Sequence, residues 1–498
     1  MILKSIEAVA HENPDAMALR FEDKAFTYGG LVREVYRIAN VLRARGLSNT
    51  STLAVYCENS SDILVLYYAM AKLGGTFVPI NAGLSSTEVA YILEHAHAKL
   101  LLTDEKLTTN ANEAANGLDC QVYQAREFFV ATPVLETIHA EEAPSSHFLI
   151  IYTSGSTGIP KAVLFDQNAE TAGNQSLIDM WQIKPADKML VALPLGFLYG
   201  LSTAAATGLQ AGCEVLVLRR FRPQDVLEAI VHHGITVFQG VPTMFSMMVE
   251  YAEQNSLRVD LSGVRLLISA GAPLPMELRQ RFTARFGADI QDYYALTEVR
   301  PVFGKFAADH DPVPAGAIGK ASPGVEIKVV SSSGAVLPAN VTGEIIVRAP
   351  ATTLGYLNAD ALTEASFADG FFRTGDLGHF DTWGYFYLTG RIKDIIIRGG
   401  ANIAPAEVEG VLLTHQDIQS CGVIGVEDQK FGELPVAFYV SRTNHPVNAQ
   451  ALTDHCRHVL ADFKVPAHFV HLYEMPLGNT GKIDKKALSS YWKGTQNV

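Results

Sequence analysis

The chain has little cysteine and none of it is paired in sequence. Cys57, Cys120, Cys213, Cys421 and Cys456 are scattered over 498 residues with no C-x-x-C among them. A dispersed, odd set reads as reduced thiols in a cytoplasmic protein and excludes a disulfide framework or a thiolate zinc site. Basic charge is also in deficit: 39 Lys and Arg stand against 52 Asp and Glu, a net charge of −13. That balance argues against a nucleic-acid partner, although it leaves room for a nucleotide in a local site. The fifteen histidines include no H-E-x-x-H or similar ligand spacing, so a transition-metal site is not expected. Long unbroken apolar runs are missing as well. Met189 to Cys213 has no charged residue over 25 positions, a length that could span a membrane. Pro194, Gly196, Gly200, Gly208 and Gly212 interrupt it, and it reads as a strand, a loop and a buried helix. The N-terminus carries no apolar h-region or cleavage site, so neither a signal peptide nor a membrane partner is expected.

What is present is an ordinary globular composition, 48% hydrophobic and 18% charged, in a chain long enough for two or more domains. Strand-like runs such as Thr52–Cys57, Phe77–Ile80, Lys99–Thr103, Met189–Leu193, Glu214–Leu218, Ile235–Phe238 and Leu266–Ala270 alternate with amphipathic stretches such as Leu31–Arg45 and Ser61–Lys72. This alternation predicts an α/β fold of parallel sheets covered on both faces. Gly74-Gly75 is expected to stop the second helix, and Ser86-Thr87-Glu88 to cap the next one. Residues 104–145 are weakly patterned and are read as peripheral. From about residue 313, Val325–Val330 and Gly343–Arg348 suggest antiparallel strands in a β-barrel-like or meander region. A third texture runs from about Lys393 to the end, with a helix near Pro405–Thr414. The expected division is 1–390, a short hinge at 391–394, and a small α+β part over 395–498.

The stretch Thr153-Ser154-Gly155-Ser156-Thr157-Gly158-Ile159-Pro160-Lys161 lies between two apolar runs. Four hydroxyls and two glycines in a row offer many donors with few side chains in the way, as a polyphosphate requires, and a lysine closes the loop. A Ser/Gly-rich hairpin is the plainer reading. The stretch is not GxxxxGK[ST], since Pro160 and Ala162 stand where that motif needs Gly and Ser/Thr. Four further clusters follow. Gln291-Asp292-Tyr293-Tyr294-Ala295-Leu296-Thr297-Glu298 offers a flat ring, a hydroxyl and a carboxylate suited to a base, a phosphate and Mg²⁺. Arg373-Thr374-Gly375-Asp376 sets one acid in a Gly-flanked turn, suited to a ribose diol or simply to an Asx-turn. Gly390-Arg391-Ile392-Lys393-Asp394 with Gly399-Gly400, and Gly478-Asn479-Thr480-Gly481-Lys482, complete the set. Each of these alone is a surface turn with a solvated charge.

Taken in order, these clusters resemble the motif series of the adenylate-forming superfamily: acyl- and aryl-CoA ligases, luciferase, and peptide-synthetase adenylation domains. The resemblance runs from about Phe26 to Lys486. It implies a large N-terminal ATP- and acyl-binding domain and a mobile C-terminal domain. It implies that Thr153, Ser154, Gly155, Ser156, Thr157, Gly158 and Lys161 cradle the β- and γ-phosphates of ATP. Tyr294 would stack on adenine with Gly271, Ala272 and Pro273 along the other side of the base. Thr297 would meet the α-phosphate, Glu298 the Mg²⁺, and Asp376 the ribose, with Arg391 beside it. Lys482 would reach the substrate carboxylate and α-phosphate, Lys393 would be the hinge, and Gly399-Gly400 would line the acceptor tunnel. The reaction implied joins a small-molecule carboxylic acid, through its adenylate, to an acceptor.

Two departures bear on specificity. Gly196-Phe197 stands where many relatives carry Phe-His, which suggests a roomier apolar pocket for a cyclic, aryl or medium-length acyl group. Phe197, Tyr199, Leu201, Gln239, Val241 and Tyr293 are the candidate walls, and Phe197 and Tyr199 read equally well as core aromatics. Arg398 precedes Gly399-Gly400 where a small residue is common, and could pair with a CoA phosphate or an amino-acid carboxylate. The acceptor therefore stays open. CoA is the leading candidate; an amino acid, as in the coronafacate ligase-like amide ligases, is the next, and a carrier protein a third. A non-catalytic nucleotide-binding protein is the alternative outside enzymology, and Lys161, Glu298, Asp376 and Lys482 together argue against it.

Overall fold

The computed structural model describes residues 1–130, 145–153, 160–478 and 483–496. Two large sheets dominate, one of nine strands and one of seven. In the first, Met17–Phe21, Glu214–Val217, Lys188–Val191, Val237–Gly240, Leu266–Ser269 and Ile290–Tyr294 lie parallel. In the second, Leu149–Thr153, Thr76–Asn81, Thr52–Cys57, Ala98–Thr103 and Gln121–Gln124 lie parallel. The inner strands are largely apolar along both faces because helices cover both faces, whereas the edge strand Gln121–Gln124 is polar and partly exposed. The weakly patterned residues 104–130 are edge structure, with Gln121–Gln124 beside Ala98–Thr103 and the short helix Ala125–Val130 after it.

The packing forms layers. One core joins the inner faces of both sheets to the helices Tyr28–Ala44, Ser61–Leu73 and Gln167–Trp181 between them. A second core packs Pro223–His233, Pro242–Gln254 and Met276–Phe286 on the outer face of the first sheet. A third packs Ser86–His95 and Thr108–Ala115 on the outer face of the second. Gly74 ends its helix as expected, in the left-handed conformation at φ +72°, whereas the next helix is capped one residue before the expected Ser86: Ser85 with Glu88 closes a capping box. Buried Asn59 ties the two sheets together: its amide donates to the carbonyls of Leu193 (2.9 Å) and Leu218 (3.1 Å) and accepts from the N–H of Leu195 (2.7 Å).

The uncharged run from Met189 resolves into the strand Lys188–Val191, a π-helix Tyr199–Ala206 and the short helix Thr207–Gln210. The meander region is an antiparallel sheet of Glu326–Val330, Gly343–Arg348, Phe371–Phe380 and Phe386–Arg391, with Phe367–Ala368 at its edge. It ends at Arg391; the next sheet begins at Ile396 and is built on the hairpin of Ile418–Asp428 with Gly432–Ser441. Arg442 at the end of that hairpin pairs with Glu277 on the helix Met276–Phe286. Among the described residues no helix is long and apolar enough to cross a membrane.

Candidate active site

The parallel strands Leu266–Ser269 and Ile290–Tyr294 are neighbours, with Ser269 opposite Asp292. Their carboxyl ends therefore bring Gly271, Ala272 and Pro273 close to Tyr294, at the edge of an α/β sheet where ligands bind. Gly271 takes φ +86°, a turn that a side chain resists. One face of Tyr294 stacks on Phe303 (4.5 Å between centroids, 20° between planes), and Phe303 stacks in turn on Phe386. The column fixes the ring and carries it back into the antiparallel sheet. The Tyr294 hydroxyl donates to Asp376 Oδ2 at 2.5 Å, and Arg391 Nε lies 2.8 Å from Asp376 Oδ1.

Asp376 and Arg391 face each other across paired strands, and Asp376 is 3% exposed. Asp376 is therefore not the turn-capping acid of its region. That role falls to Asp381, whose Oδ1 accepts the N–H groups of Trp383 and Tyr385. Burial, reinforced by the charge of Asp376, holds the Tyr294 phenol far above its ordinary range, so it stays a donor.

A second group gathers where the loop closes. Thr153 and Lys161 are paired residues of an antiparallel hairpin. Tyr152 shares a 2.9 Å hydrogen bond with His95 Nδ1 at one base of the loop, and Tyr91 donates to the Pro160 carbonyl at the other (3.5 Å). The loop residues Ser154, Gly155, Ser156, Thr157 and Gly158 lie outside the described residues, as does Lys482. The Lys161 ammonium stands 5.1 Å from the Tyr356 ring centroid, and the Tyr356 hydroxyl donates to Glu298 Oε1 at 2.9 Å. Residues 353–357 staple the two sides. The N–H of Thr353 donates to the Glu298 carbonyl (2.7 Å), and Gly355–Tyr356 pairs with the Lys161–Phe165 strand. Thr297 sits in the turn between Tyr294 and the strand Val299–Arg300. Sequence reading missed Tyr356, because its partners come from elements far away along the chain.

Sequence reading also gave Asp292 no role. Its carboxyl is pushed up to about 7 by burial, against the N–H groups of Tyr293 and Leu274 and the charge of Arg279. Its one sequence signal is an acid within an otherwise apolar and aromatic strand end. The folded carboxyl keeps its proton between its unfolded and folded pKa values, where the unfolded chain has lost one. Stability from this group is therefore present at low pH and is lost as pH rises through about 7. Asp292→Asn is expected to raise the melting temperature by a few degrees at about pH 8 and by less than half of that at about pH 5. Scanning calorimetry at both values checks this; an equal shift at both would remove the buried charge as the cause.

The candidate acyl residues are placed as follows. The Tyr199 hydroxyl donates to the carbonyls of Gly240 (3.3 Å) and Ile268 (3.4 Å), and Phe197 lies half-buried two residues earlier. Leu201 is fully buried in the central core. Val241 touches Gly271. Gln239 donates to the Thr203 carbonyl at 3.2 Å, and Tyr293 meets Trp181 edge-on at 5.1 Å. A cavity of about 220 Å³ opens beside Gly196, between Asn59, Asn81 and Met244, with Glu58, Arg219 and Arg220 also lining it; Arg219 pairs with Glu22 at 2.8 Å and with Glu58 at 3.7 Å. In the C-terminal part, Gly399 and Gly400 form a tight hairpin turn with φ of +58° and +86°. Arg398 donates to the Phe463 carbonyl at 2.7 Å and covers the Phe431 ring, so part of its donor set is already engaged. Lys393 is exposed in the turn Ile392–Asp394.

Layered sheets whose carboxyl edge carries a tyrosine tied to a buried aspartate, itself paired with an arginine, define an adenylate-forming enzyme. The AMP-binding enzyme family matches residues 6–357 and the AMP-binding enzyme C-terminal domain matches residues 407–482. The chain belongs to this family and is an AMP-forming ligase. It is 32% identical to a 2-succinylbenzoate–CoA ligase of Bacillus licheniformis, over 96% of this chain and 98% of that one. It is similar in structure to ATP-bound MatB from Rhodopseudomonas palustris, with a TM-score of 0.91 and 28% identity over 99% of both chains. It is also similar to the amide bond synthetase McbA from Marinactinospora thermotolerans, with a TM-score of 0.89 and 25% identity over 99% of this chain and 100% of that one.

Proposed function

We propose that the chain activates an acyl or aryl carboxylic acid with ATP, releasing pyrophosphate, and passes the acyl group from the adenylate to CoA. The observation that carries this reading is the pairing of two anchored ends. Tyr294, Asp376 and Arg391 suit a nucleoside, and Lys161, Tyr356 and Glu298 suit the phosphates beyond it. The free face of Tyr294 would take adenine, with Asp292 accepting from the amino group of the base. Asp376 would accept from the ribose hydroxyls. Lys161, with the hydroxyl-rich segment from Thr153, would hold the phosphates that leave, and Thr297 the one that is attacked.

Glu298 fits a Mg²⁺ site of the kind shared with phosphates. One carboxylate oxygen is held by Tyr356, and the other has no partner among the described residues. Among those residues no cluster of three or more metal-ligating side chains occurs, in keeping with a hard cation that takes one carboxylate and completes its shell from phosphate and water. Bound there, Mg²⁺ would offset charge as the phosphorus is attacked. Tyr356→Phe keeps the ring under Lys161 and removes the hydroxyl from Glu298. It is expected to raise the half-saturating Mg²⁺ concentration for ATP binding by roughly 10-fold while binding of metal-free ATP is retained. Calorimetric titrations of ATP at stepped Mg²⁺ check it; superposable curves for variant and wild type would detach Tyr356 from the metal.

Residues 1–390 would hold both substrates, residues 391–394 would turn about Lys393, and residues 395–498 would present Lys482 for adenylation and then Gly399-Gly400 for transfer. The sheet break between Arg391 and Ile396 supports this division. The likeness to a 2-succinylbenzoate–CoA ligase supports CoA as the acceptor. The likeness to an amide bond synthetase supports an amine acceptor as the second reading. A mass-spectrometric screen of carboxylic acids with ATP and Mg²⁺, offered CoA or an amino-acid mixture, separates them. An acyl-CoA product supports the proposal, and an amide formed without CoA replaces it. AMP release with neither product points to a carrier protein, and no AMP with any acid overturns the reading.

A further inference from the structure

The register of three adjacent parallel strands aligns Gln239, Ile268 and Gln291 in one row. Side chains alternate between faces along a strand, so Tyr293 lies on the same face as Gln291, one step nearer the carboxyl edge. This face is covered by the π-helix Tyr199–Ala206, whose Thr203 carbonyl takes the Gln239 amide, and by Trp181 against Tyr293. Three polar atoms on this face are buried without a partner: Gln239 Oε1, Gln291 Oε1 and the Tyr293 hydroxyl. Gln239 is 0% and Tyr293 3% exposed.

Buried polar atoms are nearly always paired, and leaving one unpaired costs about 1–3 kcal/mol. Of the eleven such side-chain atoms among the described residues, these three cluster on one face of neighbouring strands, near the edge where this fold binds ligands, and the clustering points to a partner that arrives with the substrate. An aliphatic chain would leave all three unpaired. Two of the atoms are amide carbonyls that only accept, and the third is a phenol that accepts or donates, so the missing partner is a donor.

Resting on the carboxylate-ligase reading above, we infer that the acyl group carries a polar-hydrogen group on its ring: a hydroxyl that donates to one of the Gln239 and Gln291 carbonyls and accepts from the Tyr293 hydroxyl, or an amino group that donates to both carbonyls. This sharpens the sequence expectation of an apolar pocket: the walls are aromatic and the end is polar. An analogue lacking the group leaves the same atoms unpaired, and sites built this way discriminate strongly.

The test uses matched acids: 3- and 4-hydroxybenzoate and 4-hydroxycinnamate against benzoate, methylbenzoate and cinnamate. With the wild type, at least one hydroxylated acid is expected to exceed its unsubstituted partner by about 100-fold or more in kcat/KM for pyrophosphate exchange. Gln239→Leu and Tyr293→Phe are expected to collapse that ratio by about 10-fold or more each while Mg²⁺–ATP binding is retained. The retained binding distinguishes lost recognition from lost folding. Equal rates for all matched pairs, or a preference that survives both substitutions, overturns the inference. Calorimetry of the same acids without turnover separates the two proposals. Selective binding of a hydroxylated acid without any exchange sinks the ligase reading and sustains this one.

Discussion

Alanine in place of Lys482 is expected to lower carboxylate-dependent ATP–pyrophosphate exchange by about 1000-fold. Transfer from a supplied acyl-adenylate to its acceptor is expected to stay near the wild-type rate. A carboxylate is a weak nucleophile and must approach a polyanion, so a cation between the two offsets repulsion in the ground state and developing charge in the transition state. Lys482 itself lies outside the described residues, but its flanks are pinned. Leu477 and Ile483 pair as an antiparallel bridge, and the N–H of Asp484 donates to the Pro476 carbonyl at 2.8 Å. Ile483 packs by Gly422 on the sheet of the C-terminal part. These flanks belong to the C-terminal part and would move with it. Once the adenylate exists the charge is no longer needed, which is why the two half-reactions should separate. Exchange near the wild-type rate would take Lys482 out of the chemistry, and equal loss of both half-reactions would remove the separation.

The second large effect is on stability. Glu170 and Arg300 are 0% and 1% exposed and are ion-paired in the core. The Tyr67 hydroxyl donates to Glu170 at 2.9 Å, Ser202 lies between the two charges, and Asn174 accepts from Arg300 at 3.1 Å. Removing the acid alone strands a guanidinium charge away from water, so Glu170→Ala is expected to cost about 3–5 kcal/mol. The apolar double variant Glu170→Met with Arg300→Leu is expected to recover most of it, because two desolvated charges gain little over well-packed side chains. Urea denaturation midpoints measure both. A loss under about 1 kcal/mol in the single variant would mean that water reaches the pair. The network also has a place in the site. Arg300 follows Glu298 by two residues and Ser202 follows Tyr199 by three, so it links the strand after Glu298 to the π-helix Tyr199–Ala206.

Much of this was legible in the residues. Thr52–Cys57 and Gly343–Arg348 read as strands to the residue, because apolar runs bounded by small or polar residues leave little choice. Tyr294, Asp376 and Arg391 could be named from their motifs, but not the contact that unites them, which depends on the antiparallel sheet bringing Asp376 opposite Arg391. Asp376 also read as a turn acid; only the pairing of the strands takes it out of the turn, which Asp381 caps instead. Tyr356 and Glu298, or Glu170 and Arg300, meet only after two sheets have closed on each other, and no local period records that. Leu201 sits in an uncharged run in which every residue looks equally fit for core or pocket. The order of strands was equally hidden, since Met17–Phe21 finds its neighbour in Glu214–Val217, far along the chain.

The edge-on contact between Trp181 and Tyr293 gives the protein an optical reporter of its own. The chain has three tryptophans. Trp383 is 76% exposed on a hairpin tip, and Trp492 lies on the helix Lys485–Gln496. Trp181 alone is fully buried and in contact with a residue of the acyl face. Its emission should lie to the blue of the other two, and a ligand that engages the Tyr293 hydroxyl should change it, whereas ATP bound beyond Tyr294 should change it far less. Occupancy of the two half-sites could then be followed separately in the unlabelled protein, on the timescale of a single turnover.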